Sequence, residues 1–431
     1  MSTHYPWFDP PAHEQLVVRP APGVVEEAVV LEWEGERLTG VRQAEQEERR
    51  QLPEDPSVFA TAGLFDTQIN GYLGRGFKDV DLGPEGIRDL CWSIALTGST
   101  SFLPTVTTDA LDTMRQAMAN IDVACCAYPD VAAMVPGIHQ EGPWISPVDG
   151  PRGAHALRYV QPPDYPAFQR LQAAAGGRIR LLTLAPEVEG AIDMIERVAG
   201  SGVVVALGHH QADGATIRRA VEAGARTVTH LGNGCNTTMP RHPNLLWQQA
   251  AEDRLYAGII ADGQHLPAET VKVLYRAKPA DRLILVSDAI SMAGAPPGLY
   301  RARDAIAELT ADGRFGFYQS PLLMGAVVPL ARCLANLAAF VEEGQTPAAY
   351  VDRATSVPAR LFGLSEAAAG MAPGAWATFV VWRWHRDVPD LIPQRIVIRG
   401  RTVYDVDSLP VGVPFGRVLP RAEPDMTHLG A

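Results

Sequence analysis

Gly137-Ile-His-Gln-Glu-Gly-Pro-Trp144 is the stretch of sequence that decides the fold. An apolar run from Ala132 to Ile138 leads into it and predicts a buried strand. The strand ends on His139 and Glu141, immediately before a Gly-Pro pair that breaks regular structure. Polar side chains at the carboxyl end of a buried strand are typical of α/β barrels, which keep their active sites there.

Length and charge limit the classes of protein to consider. The 431 residues allow two or three ordinary domains, although one α/β barrel can use most of them. The chain has 37 basic and 49 acidic residues and a net charge of −12, which argues against nucleic acid or an anionic membrane as a partner. This balance still leaves room for a local cationic pocket that binds a phosphate.

The cysteines and the N-terminus indicate the compartment. The five cysteines are odd in number and show no C-x-x-C spacing, so a reducing compartment fits better than a disulfide framework. Residues 1–11 have neither the charged region nor the apolar core of a secretory signal. No uncharged apolar stretch approaches the ~18 residues of a membrane span. We therefore expect a cytoplasmic protein without a membrane span.

From residue 58 onward, apolar runs alternate with segments of helical length. The runs lie near 65–71, 100–106, 132–141, 179–184, 203–207, 227–231, 256–261 and 283–286. Such runs predict a parallel sheet covered on both faces. Eight of them in about 230 residues match a (β/α)8 TIM-like barrel of ~250 residues. A doubly wound open sheet is the alternative, and the count of eight favours the barrel.

The remaining segments complete the predicted architecture. Asp213 and Pro267 are placed to begin two of the intervening helices. A loop at 293–299 and helices at 322–342 and 347–361 are predicted after the last barrel strand. Short β-type runs near both chain ends, with Gly400 at a hairpin turn, predict a small β-sandwich domain built from both ends. This divides the chain into 1–57 (N-terminal part of the small domain), 58–365 (metal-dependent barrel) and 366–431 (C-terminal part and an irregular tail).

Polar residues collect at the ends of the predicted barrel strands. They are Gln68 and Asn70, His139 and Glu141, His209 and His210, His230, and Asp288. The carboxyl ends of all strands share one mouth of a barrel, so these side chains are expected to meet. Two imidazoles and a carboxylate suit a divalent transition metal with a position open for water. An aspartate beside such a metal can move a proton from water to a leaving amine, so the set predicts hydrolysis of an amide-like bond.

Each of these residues also has a structural interpretation. Strand alternation points His210 away from His209, and His139 can lie near the site without being a ligand. Asp288 alone fits a helix cap, and Glu141 alone fits a buried ion pair. Their joint occurrence at the ends of the third, fifth, sixth and eighth strands favours a metal site.

Seven motifs between about residues 58 and 300 carry a family resemblance. They are Gly63-Leu-Phe-Asp-Thr-Gln-Ile-Asn-Gly, Gly137-Ile-His-Gln-Glu-Gly-Pro-Trp, Leu182-Thr-Leu-Ala-Pro-Glu, Leu207-Gly-His, Thr229-His-Leu-Gly-Asn, Gly258-Ile-Ile-Ala-Asp-Gly-Gln-His and Val286-Ser-Asp-Ala. Because these motifs occur in the family's order and spacing, the chain resembles the N-acetylglucosamine-6-phosphate deacetylase family of the amidohydrolase superfamily. The motifs are highly specific for this branch and less specific for the substrate.

The resemblance implies roles for individual residues. Glu141, His209 and His230 would hold one divalent metal ion per chain, zinc or iron, and Asp288 would be the catalytic acid and base. Members with Gln-x-Asn in place of the H-x-H pair of many amidohydrolases use a single metal. The implied substrate-binding residues are Gln68, Asn70, His155, Asn233, Gly234, Arg241 and His265.

The same resemblance implies a phosphate site and an oligomer. His265 and Arg241 would lie near the sugar phosphate, and in the family the arginine reaches across a dimer interface, so a homodimer is expected. An arginine in a loop equally fits an ordinary solvated position.

Three segments depart from the family pattern. They are Gly232-Asn-Gly-Cys-Asn, Pro321-Leu-Leu-Met-Gly-Ala, which stands where the family has Ser-Gly-Ser, and Pro240-Arg-His-Pro around Arg241. We expect a deacetylase acting on N-acetylglucosamine 6-phosphate or a close N-acyl amino sugar, giving acetate and the free amine. One alternative is an amidohydrolase acting on a different N-acyl or cyclic amide. A second is a non-catalytic sugar-phosphate-binding protein, against which Asp288 argues, because binding alone needs no proton shuttle.

Overall fold

The computed structural model describes Tyr5 and residues 7–302, 305–320, 323–364 and 370–408. The strands are β1 (Glu14–Val18), β2 (Val29–Glu34), β3 (Arg37–Gln43), β4 (Val58–Ala62), β5 (Phe65–Ile69), β6 (Gly71–Tyr72), β7 (Arg75–Gly76), β8 (Ser101–Thr107), β9 (Ile138–Glu141), β10 (Ile179–Leu184), β11 (Val204–Leu207), β12 (Ala225–Val228), β13 (Tyr256–Ile259), β14 (Leu283–Leu285), β15 (Gly298–Ala302), β16 (Ala305–Leu309), β17 (Phe315–Phe317), β18 (Phe379–His385), β19 (Asp390–Ile398) and β20 (Arg401–Asp405). The α-helices are α1 (Gly83–Ala95), α2 (Leu111–Ala127), α3 (Pro129–Met134), α4 (Tyr165–Ala174), α5 (Ala191–Gly200), α6 (Gly214–Glu222), α7 (Leu245–Ala251), α8 (Ala268–Ala277), α9 (Leu330–Val341) and α10 (Ser356–Leu361). Short 3-10 helices cover Glu48–Gln51, Leu157–Tyr159, Pro347–Ala354 and Val406–Ser408.

An eight-stranded parallel sheet forms the centre of the molecule. Its order is β5, β8, β9, β10, β11, β12, β13 and β14, and each strand is parallel to the next. The last strand returns to the first through a parallel bridge between Ile69 and Ala289. Asp288 N donates to Gln68 O at 2.9 Å, and Asn70 N donates to Ala289 O at 2.8 Å. The predicted (β/α)8 barrel is therefore confirmed.

The apolar runs located all eight barrel strands, but several of their bounds differ. The run from Ala132 to Ile138 was predicted to be strand, yet its first residues belong to α3, which Pro129 opens, and β9 begins only at Ile138. At the carboxyl ends, β5 and β13 each stop two residues before the predicted end, at Ile69 and Ile259. The sixth strand was expected to reach Leu231, but β12 ends at Val228. His230 has φ 33°, so the chain leaves the extended conformation before it. The sixth strand therefore ends just before a residue of the predicted site.

Two helix starts agree with the sequence. The Asp213 side chain accepts a hydrogen bond from Thr216 N at 2.8 Å and caps α6. Pro267 immediately precedes α8, whose buried face contains Val271 and Leu274. The predicted helix at 322–342 instead begins at Leu330, because Ala326 is used in a bridge to Ala289 that extends the barrel rim.

A β-sandwich built from both chain ends lies beside the barrel. One sheet contains β1, β2 and β3, and the other has the order β20, β19, β18, β4. Trp33 is buried between them, with its ring 5.4 Å from that of Phe379 and its Nε1 donating to Gly400 O at 3.0 Å. Gly400 has φ 76° in the β19–β20 turn, as its position predicted. Strand β4 falls in the segment 58–365 that we expected to form the barrel, yet it pairs with β18.

Two further features complete the fold. Strands β15, β16 and β17 form a small antiparallel sheet after the last barrel strand. It begins at the end of the loop predicted at 293–299 and fills a segment for which no element was predicted. The predicted irregular tail from Pro414 and the first two residues of the Pro321 segment lie outside the described residues. No helix in the described part of the chain is long and apolar enough to cross a bilayer.

Candidate metal centre and active site

Three of the predicted site residues have left-handed backbone conformations. The φ angles of His209, His230 and Asp288 are 53°, 33° and 48°, and such conformations cost roughly 1–3 kcal/mol each for residues other than glycine. Each follows a barrel strand by two or three residues. Surrounding backbone hydrogen bonds hold them: Ser146 N to His209 O at 2.9 Å, Asn233 N to His230 O at 2.8 Å, and Asp288 N to Gln68 O at 2.9 Å. Backbone strain therefore concentrates at one mouth of the barrel.

One carboxylate and three imidazoles converge at this mouth. Glu141 Oε1 lies 2.9 Å from His209 Nε2, 3.4 Å from His230 Nε2 and 4.0 Å from His155 Nε2. His209 Nε2 lies 3.1 Å from His230 Nε2 and 3.2 Å from His155 Nε2. These side chains are at most 8% exposed. The structure therefore brings His155 into the same cluster as Glu141, His209 and His230.

The tautomer of His209 tests whether this cluster fits a metal ion. Its Nδ1 lies 2.9 Å from Pro151 O, and a carbonyl only accepts, so Nδ1 carries a proton. In the neutral ring, Nε2 then presents a lone pair to a carboxylate oxygen and two other imidazole nitrogens. Such acceptors repel at these distances unless a proton or a cation lies between them. Imidazole and carboxylate ligands suit zinc or iron, so the residues fit a divalent metal.

The ligand set can be drawn in two ways from the geometry. Glu141, His155 and His209 offer atoms that all lie within 4.8 Å of one another. The set that we expected from the sequence has His230 in place of His155, and His230 Nε2 lies closer to Glu141 Oε1 than His155 Nε2 does. His155 comes from a loop, whereas the other three residues lie at or just beyond strand ends. Its Nδ1 lies 2.7 Å from Thr108 Oγ1.

Burial and neighbouring charges shift the pKa values of Asp288 and Glu141 in opposite directions. Burial raises the pKa of Asp288 to about 6, and the charge of Glu141 adds to this, while His230, His265 and a hydrogen bond from Asn70 oppose it. Burial also acts to raise the pKa of Glu141, but its contacts with His209 and His230 outweigh burial and bring the pKa well below the usual range. Glu141 is therefore an anion, while Asp288 can exchange a proton near neutral pH.

The two amide side chains of the first barrel strand hold these carboxylates. Gln68 Nε2 donates to both carboxylate oxygens of Glu141 at 3.3 Å. Asn70 Nδ2 donates to Asp288 Oδ1 at 2.7 Å. The Asn70 Oδ1 atom is buried and has no partner among the described residues. Gln68 and Asn70 therefore border the cluster, as their position in the sequence suggested.

Asn233 and Gly234 lie directly against the histidines. A Cβ atom added to Gly234 would come within 2.9 Å of His230 Cε1 and 3.0 Å of His209 Nδ1, and its φ is 55°. Only glycine fits such a close approach. Asn233 Nδ2 is buried without a partner in the described part of the chain. This segment departs from the family pattern, yet it forms one wall of the site.

The two residues expected near a phosphate differ in their surroundings. His265 Nδ1 lies 2.6 Å from Asp262 Oδ2, and Asp262 Oδ1 accepts from the backbone N of Gln264 and of His265 at 2.8 Å. Arg241 lies in an exposed stretch, and no hydrogen bond or ion pair joins its guanidinium to other described residues. His265 also lies close enough to Asp288 for its charge to lower the Asp288 pKa, whereas no contact among the described residues joins the Arg241 side chain to the cluster.

The two remaining histidines are occupied by other groups. His139 Nε2 lies 2.7 Å from Thr183 Oγ1 and its Nδ1 lies 3.3 Å from Thr105 Oγ1, and burial lowers its pKa to about 4. His210 contacts the Gln249 amide through Nε2 and accepts from Ala212 N at 3.1 Å through Nδ1. Burial lowers the pKa of His210 to about 3. Neither ring has a free nitrogen, as the structural interpretation of these residues predicted.

Three contributors were not identified from the sequence. Pro151 fixes the His209 tautomer through its carbonyl, Thr108 contacts His155, and Asp262 holds His265. A backbone carbonyl and a loop contact leave no residue-type signal in a single sequence. Asp262 did leave a signal that could have identified it, because it lies three residues before His265 in one of the seven motifs.

Comparisons with known proteins identify relatives of this chain. Residues 59–403 match the sequence model described as the amidohydrolase family. An N-acetylgalactosamine-6-phosphate deacetylase from Shewanella sp. (strain ANA-3) is 34% identical over 302 residues, 69% of this chain and 73% of that protein. The N-acetylglucosamine-6-phosphate deacetylase of Homo sapiens is 31% identical over 357 residues, 80% of this chain and 83% of that protein.

Solved structures show the same architecture. The crystal structure of N-acetyl-D-glucosamine-6-phosphate deacetylase from Mycobacterium smegmatis has a TM-score of 0.77 and 25% identity, covering 88% of this chain and 96% of that one. The match of the family model covers well over half of the chain, and the human relative is matched along most of both proteins. The chain therefore belongs to the amidohydrolase family and, within it, to the group that contains the N-acetylglucosamine-6-phosphate deacetylases.

Proposed function

We propose that this protein is a metal-dependent deacetylase that hydrolyses the acetamide of N-acetylglucosamine 6-phosphate or a close N-acyl amino sugar. The products are acetate and the free amine. One observation carries the proposal: Glu141 and the imidazoles converge in a cluster that fits a cation, and Asp288, whose pKa is raised to about 6, lies at the same mouth. Named relatives act on both the gluco and the galacto sugar phosphates, so the orientation of the sugar 4-hydroxyl is left open.

Glu141, His209 and His230 are the proposed metal ligands. When bound, a divalent ion at this position lowers the pKa of a coordinated water toward ~7 and polarises a carbonyl oxygen. Gln68 holds the Glu141 carboxylate through both oxygens. The Pro151 carbonyl fixes the His209 ring in the tautomer that directs Nε2 at the centre.

Asp288 moves the proton during the reaction. Its carboxylate takes a proton from the attacking water and delivers it to the amine nitrogen as the C–N bond breaks. Asn70 orients Asp288 through the 2.7 Å hydrogen bond to Oδ1. Because Oδ1 is held, Oδ2 is the oxygen available for proton transfer.

The remaining residues are proposed to bind the substrate. His155, Asn233 and Gly234 border the cluster and would contact the acetamide and the sugar ring. The buried Asn233 Nδ2 and Asn70 Oδ1, which have no partners among the described residues, are a free donor and a free acceptor for sugar hydroxyls. His265, held by Asp262, and Arg241, from the same or a second subunit of a homodimer, would bind the 6-phosphate.

Acetate release from matched substrates tests this function. The purified protein, with its metal content measured, is given N-acetylglucosamine 6-phosphate, N-acetylgalactosamine 6-phosphate and unphosphorylated N-acetylglucosamine. We expect one bound divalent ion per chain and a kcat/KM at least about tenfold higher for a phosphorylated sugar. Equal rates with and without phosphate would favour an amidohydrolase with another N-acyl or cyclic amide substrate. Binding without turnover under any metal would favour the sugar-phosphate-binding alternative.

A further inference from the structure

A chain of hydrogen bonds crosses the barrel close to the cluster of Glu141, His155, His209 and His230. Thr229 Oγ1 lies 2.7 Å from Thr183 Oγ1, and Thr183 Oγ1 lies 2.7 Å from His139 Nε2. His139 Nδ1 lies 3.3 Å from Thr105 Oγ1, which accepts from Ile69 N at 3.0 Å. All four side chains belong to residues that are at most 6% exposed. The chain thus links segments of the barrel from the first strand to the end of the sixth.

The three proposed metal ligands lie one or two residues along the sequence from a member of this hydrogen-bond chain or from Gly208, which the chain passes over. His139 precedes Glu141 by two residues, and Thr229 immediately precedes His230. The bond between Thr183 and Thr229 passes over Gly208, which immediately precedes His209. A Cβ atom at Gly208 would come within 2.7 Å of both threonine side chains. Only a residue without a side chain lets the two hydroxyl groups meet there.

The donors and acceptors of the chain have one consistent direction. Thr105 Oγ1 donates to Leu103 O at 3.2 Å, so its contact with His139 makes Nδ1 the donor. His139 Nε2 then accepts from the Thr183 hydroxyl in the neutral ring, and Thr183 accepts from the Thr229 hydroxyl. The distance from Thr183 Oγ1 to His139 Nε2 and the distance from Thr229 Oγ1 to Thr183 Oγ1 are both 2.7 Å, as in well-formed hydrogen bonds. Thr183 is the middle member, and removing its hydroxyl breaks both short contacts.

We propose that Thr183 is a positioning residue, whose hydroxyl ties the third barrel strand to the end of the sixth across Gly208 of the fifth, so that Glu141, His209 and His230 reach one ion. This inference rests on the proposed metal centre. None of the four side chains contributes a ligand atom to the centre. Their role is to hold three segments whose next residues are in strained or crowded conformations, two of them with positive φ.

The test compares metal affinity in Thr183→Val, Thr183→Ser and Thr100→Val. Valine keeps the shape of threonine and removes the hydroxyl, while serine keeps the hydroxyl. Thr100 is the matched control, because its Oγ1 is buried without a hydrogen-bond partner among the described residues. Zn²⁺ dissociation constants are measured by chelator competition, and the visible spectrum of the Co²⁺-loaded protein reports ligand geometry.

We expect Thr183→Val to weaken Zn²⁺ binding about tenfold or more and to change the Co²⁺ spectrum, as losses of groups that support metal ligands do. Thr183→Ser is expected within about threefold of the wild type, and Thr100→Val is expected to leave the wild-type affinity. At saturating metal, the kcat of Thr183→Val should largely recover. If Thr183→Val does not fold, Thr229→Val breaks one of the two short bonds and should still weaken binding measurably.

Three results would overturn the inference. Wild-type Zn²⁺ affinity in Thr183→Val and Thr229→Val would show that the chain does not set the centre. Equal weakening in Thr183→Val and Thr100→Val would show a general effect of removing a buried hydroxyl. A wild-type protein that binds no divalent ion would remove the proposed function and this inference together, whereas the first two results leave the proposed function standing.

Discussion

Two parts of the barrel mouth differ in how firmly the chain holds them. In the metal cluster, Glu141, His209 and His230 lie at or just beyond strand ends, buried and in contact with one another. The 232–244 loop leaves the mouth and becomes exposed over residues 240–243. The Arg241 guanidinium in that loop has no hydrogen bond or ion pair within the described part of the chain.

This difference separates the chemistry of the protein from its choice of substrate. Contacts from outside the cluster hold three of its groups: Gln68 holds Glu141, the Pro151 carbonyl holds His209 and Thr108 holds His155. The exposed part of the loop, residues 240–243, which we call the outer loop, is held by few contacts. Its sequence can therefore change without disturbing the proposed ligands. The departures from the family pattern at 232–236 lie at the inner end of the 232–244 loop, where Gly234 packs against His209 and His230, so this end belongs with the cluster. Substitutions in the cluster should therefore have large effects on catalysis, and substitutions in the exposed loop should have small effects on binding.

The largest effect is expected for a ligand of the metal. His230→Asn should lose most of its divalent metal and nearly all of its activity, because the cluster loses one of its three proposed nitrogen and oxygen donors. His155→Asn should retain the wild-type metal content while its kcat falls roughly 10²-fold, as for the loss of one group that stabilises the transition state. Metal content by mass spectrometry and kcat by acetate release check both. Metal loss in His155→Asn with metal kept in His230→Asn would instead assign the ligand set Glu141, His155 and His209.

Asp288→Asn is expected to have the next largest effect. An amide keeps the size of the side chain but cannot take a proton, so kcat should fall roughly 10²–10⁴-fold. Metal content should remain that of the wild type. Asp112→Asn is a matched control, because the Asp112 side chain is 95% exposed. An unchanged kcat in Asp288→Asn would contradict the proton-transfer role of Asp288 and would leave no identified proton carrier beside the proposed metal ligands.

The pH dependence of kcat should report the buried carboxyl groups of the cluster. Burial raises the pKa of Asp288 from 3.8 to about 6, and a bound cation nearby lowers it again. Asp288 must be ionised to accept a proton, so activity should fall as the pH drops, with a midpoint between 3.8 and about 6. The measurement is kcat against pH at saturating metal. Asp288→Asn should lose this acidic limb, and its persistence at the same midpoint would assign it to another group.

The sequence predicted the parts of the protein that repeat a physical pattern. Continuous apolar runs located the barrel strands, because a strand buried on both faces excludes polar residues except at its ends. The same rule identified Glu141, His209, His230 and Asp288 as residues that meet at one mouth. The Asp213 cap and the Gly400 turn were visible because local hydrogen bonding and positive φ select their residue types.

Other parts depend on contacts between segments that are distant in the sequence. Strand β4 looked like the start of the barrel, and only its pairing with β18 places it in the sandwich. Residues 323–329 are apolar enough for a helix, but Ala326 pairs with Ala289 instead. The approach of His155 to His209 and the carbonyl of Pro151 that fixes the His209 ring depend on a loop path. Patterns within one segment carry no signal for such contacts.

The smallest effect is expected in the exposed loop. Arg241→Ala should leave kcat and metal content unchanged and raise KM for the phosphorylated sugar by about fivefold or less, because ion pairs in water contribute only ~1 kcal/mol or less. KM for unphosphorylated N-acetylglucosamine should not change. Arg226→Ala, at another exposed arginine, is the matched control.

Salt provides the decisive measurement for this contrast. The KM difference between Arg241→Ala and the wild type should shrink as ionic strength rises, since exposed charges are screened over about 10 Å at 0.1 M salt. A hundredfold increase in KM that is insensitive to salt would require a desolvated guanidinium on the phosphate. In that case the loop, or the same loop of a second subunit, closes over the substrate. The outer loop would then be as firmly organised around its ligand as the cluster is around the metal, and the division between the two parts of the mouth would not hold.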